Sequence, residues 1–218
     1  MAQLDFAERQ LTIKLVYFGP PLSGKTSNLR ALHQQVDHLN RGRLMTLDTR
    51  DDRTLFFDLL PIFFRTTSFS FRIKVYTVPG QPVHEATRKV VLAGADGVVF
   101  VADSAADKAA ANRESWQNLH GILHAHALDQ VPVIVQYNKR DVATCPLSDV
   151  DHFDDPARGL FEAEARSGKG VARTFFAAVG AAWDYLDKEL QLATKLGVDS
   201  QTFRATLAEH VAAGDAVE

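Results

Sequence analysis

Apolar and polar positions along the chain follow two periods that take turns. Residues 11–18 alternate at first and then become continuously apolar, and residues 69–78 alternate cleanly. In the second segment Phe69, Phe71, Ile73 and Val75 share one face, with Ser70, Arg72 and Lys74 opposite, as in a strand with one face in the core. Residues 97–102 and 131–137 are short, nearly unbroken apolar runs, which suits strands covered on both faces. Between these runs the spacing predicts helices over about 83–94 and 107–127. A long one spans roughly 169–194, where Val171, Phe175, Val179, Ala182, Leu186 and Leu190 form a stripe. Strand and helix alternating in this way predict an α/β fold with a mainly parallel sheet flanked by helices.

Two segments break the rhythm. Residues 42–66 show no convincing helix and read as a long loop rich in charge, a length that in a compact domain points to function. Within it Phe56, Phe57, Ile62, Phe63 and Phe64 form an apolar cluster that suits either core packing of the next strand or a partner-binding surface. After about residue 195 an Ala-rich stretch carries Phe203, Leu207 and Val211 at four-residue spacing. The expected organisation is a domain over 1–194 and a helical extension or tail over 195–218.

Composition narrows the setting. The 218 residues suit one domain, and a net charge of -3 offers no electrostatic reason to expect nucleic acid. The longest apolar run, 90–101, is interrupted by Asp96, so no integral membrane segment is expected. The N-terminal residues lack a basic start and apolar stretch, and the C-terminus has no cysteine to prenylate. Cys145 has no second cysteine to pair with, which fits a reducing cytoplasm.

The chemistry begins at Gly19-Pro20-Pro21-Leu22-Ser23-Gly24-Lys25-Thr26, which matches the P-loop pattern between a predicted strand and a predicted helix. Backbone N–H groups from Gly19, Leu22, Ser23, Gly24 and Lys25, continuing to Thr26 and Ser27, would cradle phosphates at the helix N-terminus. Lys25 would reach the outer phosphates and the Thr26 hydroxyl would coordinate Mg²⁺. Asn138-Lys139-Arg140-Asp141 follows another sheet strand. Its Asp141 carboxylate can accept from N1–H and the exocyclic amine of guanine, a pair adenine lacks. Asn138 would tie this loop to the P-loop, with the Lys139 stem over the base. Thr77-Val78-Pro79-Gly80-Gln81 ends the alternating strand, where Gly80 can offer its N–H to the γ-phosphate and Gln81 can orient water. In the 42–66 segment, Thr54 offers a hydroxyl for Mg²⁺; Arg53, judged by spacing alone, is a solvated surface arginine. His120 and His124 lie one helical turn apart, but no Cys or carboxylate at suitable spacing accompanies them, so a helix face is the better reading than a metal site.

Together these motifs resemble the Ras-like small GTPases, and their wording resembles the bacterial MglA family over about residues 5–192. The distinctive pieces are Arg53-Thr54-Leu55-Phe56-Phe57-Asp58, Thr77 to Gln81, and the run from Asp96 to Ser104. The resemblance implies a six-stranded sheet with an extra N-terminal strand near Leu4. It implies a GTP/GDP switch with Mg²⁺ that sets cell polarity for gliding or pilus-driven movement, with effectors meeting its switch loops. An MglB-like roadblock-domain homodimer would be the activating partner of a chain monomeric by itself. The family setting is cytoplasmic, with recruitment to cell poles or membrane-associated complexes. Catalysis would rest on Gln81, Thr54 and Lys25, with Arg53 as an intrinsic arginine finger. Ala165 would offer its N–H to the guanine oxygen and Arg166 would cover the ring.

Two departures bear on rate and metal. Pro21 stands where most relatives have glycine; it has no N–H and adds bulk near the γ-phosphate. Thr77 stands where Ras-like proteins usually have the Mg²⁺-associated aspartate. Mg²⁺ would then rest on Thr26, Thr54 and phosphate, with water-mediated help from a carboxylate such as Asp58, and weaker retention is expected. Three functions therefore stay open: a slowly hydrolysing switch, a GTP-binding adaptor with little hydrolysis, and another P-loop enzyme. The guanine-directed Asp141 argues against the third.

Overall fold

The computed structural model describes residues 2–48, 56–142, 153 and 161–211. Its centre is the P-loop strand β2 (Gln10–Phe18), flanked by β5 (Ser70–Thr77) and β6 (Gly97–Asp103), both parallel to it. β7 (Val133–Asn138) and the short β8 (Phe161–Glu162) extend the parallel side. On the other side β4 (Phe56–Arg65) pairs antiparallel with β5, and β3 (Met45–Asp48) pairs antiparallel with β4. β1 (Gln3–Asp5) pairs antiparallel with the start of β2, on a stretch that β6 does not reach.

The described residues thus form an eight-stranded sheet in the order β3-β4-β5-β2-β6-β7-β8, with β1 beside β2 as the expected extra N-terminal strand and seven strands where six were expected besides it. The difference lies in the segment read as a loop, much of which is β3 and β4. Pro61, which argues against a strand when read alone, is tolerated for a geometric reason. Its carbonyl accepts from Gly42 N on the side away from β5, so its missing N–H also faces outward, where β3 no longer runs. Strand alternation then divides the aromatic cluster: Ile62 and Phe64 are buried, while Phe57 and Phe63 are half-buried.

Six helices among the described residues cover the sheet: α1 (Lys25–Gln35), α2 (Glu85–Leu92), α3 (Ala109–Ala125), α4 (Val171–Leu190), α5 (Leu192–Leu196) and α6 (Ser200–Val211). Leu11, Ile13, Leu15 and Tyr17 of β2 face one core with α1, α4 and α6, while Val16 and Phe18 face the other with α2 and α3. The expected stripe on the long helix is that core contact: Val171, Phe175, Val179, Ala182 and Leu186 are all buried. α6 is docked. Phe203 stacks on Trp183 of α4 with ring centroids 4.1 Å apart and meets Phe64 and Phe71 of β4 and β5. Among the described residues no helix is long and apolar enough to cross a membrane.

The parallel strands β2, β5, β6 and β7 all end on one side of the sheet, delivering Gly19, Thr77, Ser104 and Asn138 to a common edge. Ligands of open α/β sheets bind at this edge.

Candidate nucleotide site

The P-loop connects β2 to α1, and its geometry prepares for an anion. Gly24, in left-handed backbone with φ 101°, begins α1, and no side chain caps that helix end. A Cβ at Gly24 would fall 2.2 Å from Asn138 Nδ2, so glycine is required on steric as well as conformational grounds. The N–H groups of the first turn are therefore open to phosphate oxygens. Leu22 also has left-handed backbone, φ 61°, and its side chain is 88% exposed, so only its main chain faces the loop's work. Ser27 is exposed on α1, and Ser23 Oγ is buried with no hydrogen-bond partner among the described residues.

Lys25 is 7% exposed, and its ammonium donates to Gly19 O at 2.9 Å and Pro20 O at 2.7 Å. Burial, and then the charges of Arg88 and Lys139, lower its pKa to about 7. A cation held by two carbonyls, among other cations, gains most from a bound polyanion. The orphaned Ser23 hydroxyl and the uncapped helix point the same way, so the site fits a nucleotide's phosphates.

Beside the P-loop, a cluster of hydroxyls gathers around Asp58 of β4. Its carboxylate is 6% exposed and accepts from Thr26 Oγ1 at 2.7 Å, Thr46 Oγ1 at 2.8 Å and Thr77 Oγ1 at 3.0 Å. The Asp58 N–H in turn donates to Thr77 Oγ1 at 3.0 Å. Among the described residues three hydroxyls, and no lysine or arginine, hold this buried charge. Thr26, Thr46, Asp58 and Thr77 line a cavity of about 280 Å³ together with Arg30, Phe57, Val78 and Pro79, and its hydroxyl and carboxylate oxygens are the donor type Mg²⁺ takes. The register Leu59↔Tyr76 is what sets Asp58 beside Thr77 on the neighbouring strand. Arg53 and Thr54 lie outside the described residues.

At the base end, Asn138 does what its position predicts: its Nδ2 donates to Ser23 O at 2.8 Å, joining this loop to the P-loop. Its Oδ1 accepts from Ala165 N at 2.9 Å. The Ala165 N–H expected to meet the guanine oxygen is thus engaged by Asn138 here and would have to share or exchange that bond. Lys139 has left-handed backbone, φ 68°, and its Nζ pairs with Asp103 Oδ2 at 2.6 Å. Asp103 is 2% exposed and sits at the end of β6, so it fixes where the lysine stem lies. Asp141 and Arg166 are both exposed at this edge and free to face a base. Asp103 was not among the expected site residues; its one signal is an acid closing an otherwise apolar strand at the ligand edge.

On the γ-phosphate side, Gly80 is pressed against the P-loop: a Cβ there would be 2.5 Å from Pro21 N and 2.6 Å from Pro21 Cα. Gln81 is exposed in extended backbone, φ -71°, at the start of a 3₁₀ turn, Pro82–His84. Its carbonyl accepts from Arg88 Nη1 at 2.7 Å. The histidine pair on α3 has ordinary partners: His124 Nδ1 lies 3.0 Å from Asp129 Oδ1, and His120 packs on Trp116.

Comparison with known proteins agrees with this geometry. The ADP-ribosylation factor family matches residues 61–151. The mutual gliding-motility protein MglA of Myxococcus xanthus (strain DK1622) is 39% identical over 182 residues, covering 80% of this chain and 92% of that protein. A P-loop, a guanine-directed loop tied to it and the Thr77 to Gln81 turn on one sheet edge, together with this likeness, place the chain in the MglA-like family of small Ras-like GTPases.

Proposed function

We propose that the protein is a GTP-hydrolysing switch that controls polarity and surface motility, with Asp58 supplying the magnesium-associated carboxylate that Thr77 does not. The guanine-nucleotide reading is carried by the Asn138–Ser23 bond of 2.8 Å, which makes the base loop and the P-loop one rigid cradle. Thr26, with Asp58 behind its hydroxyl and Thr54 from the neighbouring segment, would hold Mg²⁺. When bound, that ion would neutralise charge on the phosphate oxygens. Lys25 binds the outer phosphates, Gln81 orients the attacking water, and Arg53 offers a cation to the charge that develops at the γ-phosphate. Slow intrinsic turnover, with stimulation by an MglB-like roadblock homodimer, completes the reading.

The Myxococcus relative's name, a mutual gliding-motility protein, supports the motility assignment. Val83 in the turn after Gln81 and Val90 on α2, 80% and 62% exposed, give effectors apolar contacts. The adaptor reading has one observation in its favour, the closeness of Gly80 to Pro21, which narrows the room in which Gln81 must meet a γ-phosphate.

Two measurements decide. Nucleotide extracted from the purified protein should be GDP or GTP; adenine nucleotide would overturn the base assignment. Single-turnover GTP hydrolysis should depend on Gln81 and accelerate with a roadblock partner. A rate indifferent to both would establish the adaptor instead.

A further inference from the structure

Arg88 is the buried cation that the hydrolytic reading leaves unused. It lies on α2, one residue before the exposed Lys89, yet is itself only 5% exposed. Its guanidinium reaches back to the turn preceding its own helix and donates through Nη1 to the Gln81 carbonyl at 2.7 Å. The same side chain lines a groove of about 740 Å³ between α2 and α3, together with Pro21, Gly80, Glu114 and Asn118. Its charge bears on Lys25, and the carboxylates of Glu85 and Glu114 bear on it.

A buried arginine is an expensive way to pack two helices, because its head must be desolvated. An apolar side chain would fill the same space at lower cost. The rigid fork does something that a leucine or methionine cannot: it donates in a fixed direction. Here that direction is the main chain of the residue expected to orient water. Gln81 is exposed, and its main-chain anchor limits where the amide can swing.

We infer that Arg88 is a positioning residue for Gln81, fixing its backbone from α2 so that the amide is aimed at the water attacking the γ-phosphate. This rests on the hydrolytic reading above. It adds a link from α3 through Arg88 to the water site, so that anything shifting α2 against α3 changes the hydrolysis rate.

The test is a double-mutant cycle on the full chain, in single-turnover hydrolysis of GTP with Mg²⁺. Arg88→Met keeps the stem and its packing but removes the donor; Arg88→Lys keeps the charge but not the fork. Because misplacing a catalytic group by about 1 Å lowers rates about 100-fold, Arg88→Met should slow hydrolysis roughly 10- to 100-fold, with Arg88→Lys intermediate. GDP affinity should stay within about threefold, since nucleotide binding does not use Gln81. Added to Gln81→Leu, Arg88→Met should cause no further loss.

Hydrolysis at the unsubstituted rate in Arg88→Met, while Gln81→Leu is slow, overturns the inference alone. So does a full multiplicative loss in the double variant, which would mark a general structural role. If Gln81→Leu itself leaves the rate unchanged, the hydrolytic reading fails and takes this inference with it.

Discussion

Replacing Asp58 with asparagine isolates the substituted magnesium carboxylate. The side chain keeps its shape, but one of two oxygens that now accept three hydroxyl bonds, at 2.7, 2.8 and 3.0 Å, becomes an NH₂ donor. If the amide nitrogen faces Thr26 and Thr77, both hydroxyls must rotate, and Thr26 turns a lone pair toward the amide and away from the metal. If it faces Thr46, that hydroxyl turns instead, and the charge is lost in either case. In the proposed site Asp58 would act on the metal through the Thr26 hydroxyl it accepts from, and groups that orient a metal ligand are worth about 10- to 100-fold in metal affinity. That corresponds to about 1.4–2.7 kcal/mol. The assay is release of a fluorescent GDP analogue titrated against free Mg²⁺. Asp58→Asn should raise the half-point by about 10- to 100-fold, whereas Thr46→Val, which removes only an outer hydroxyl, should move it by less than about threefold. An unchanged half-point in a folded Asp58→Asn protein would refute the role assigned to this carboxylate.

Three further outcomes follow from the same geometry. Asn138→Ala removes the bonds to Ser23 O and from Ala165 N, each buried and worth about 1–3 kcal/mol when its partner is stranded. GDP affinity measured by fluorescence titration should fall at least about tenfold, and a smaller change would show that the tether is dispensable. Phe203→Ala should cost about 3–5 kcal/mol in urea unfolding, because Phe203 is fully buried against Trp183, Phe71 and Phe64; a loss under about 1 kcal/mol would mean that α6 is not docked in solution. Lys25, lowered from 10.5 to about 7 by burial and neighbouring cations, binds fewer protons folded than unfolded between those values. Nucleotide-free protein should therefore gain stability as pH rises through that window. GDP restores the charged form, so binding at pH 8 should take up a proton, read as a dependence of the calorimetric heat on buffer ionisation enthalpy; heats independent of buffer would contradict it.

Local pattern determined a large part of this protein. The P-loop is a strand, a glycine-bearing turn and a helix in immediate succession, so its identity is readable from residues 18–26. The inward face of β5 and the stripe of α4 followed from period, because burial on one side imposes that period on the sequence. β4 was not legible in this way: Pro61 within an aromatic run looks like a strand breaker until the pairing shows that its missing N–H faces away from β5, past the end of the β3 pairing. The remaining site features are long-range contacts. Asp58 meets Thr77 through strand register and Thr26 across the sheet edge, and Asp103 meets Lys139 from the adjacent strand. Nothing in the spacing singles out Arg88, and only the structure shows it buried with its guanidinium at the Gln81 carbonyl. Which chemistry is available was written in local residue types. Which carboxylate accepts from the Thr26 hydroxyl, and which cation reaches the Gln81 carbonyl, depended on tertiary contacts whose distances no sequence spacing encodes.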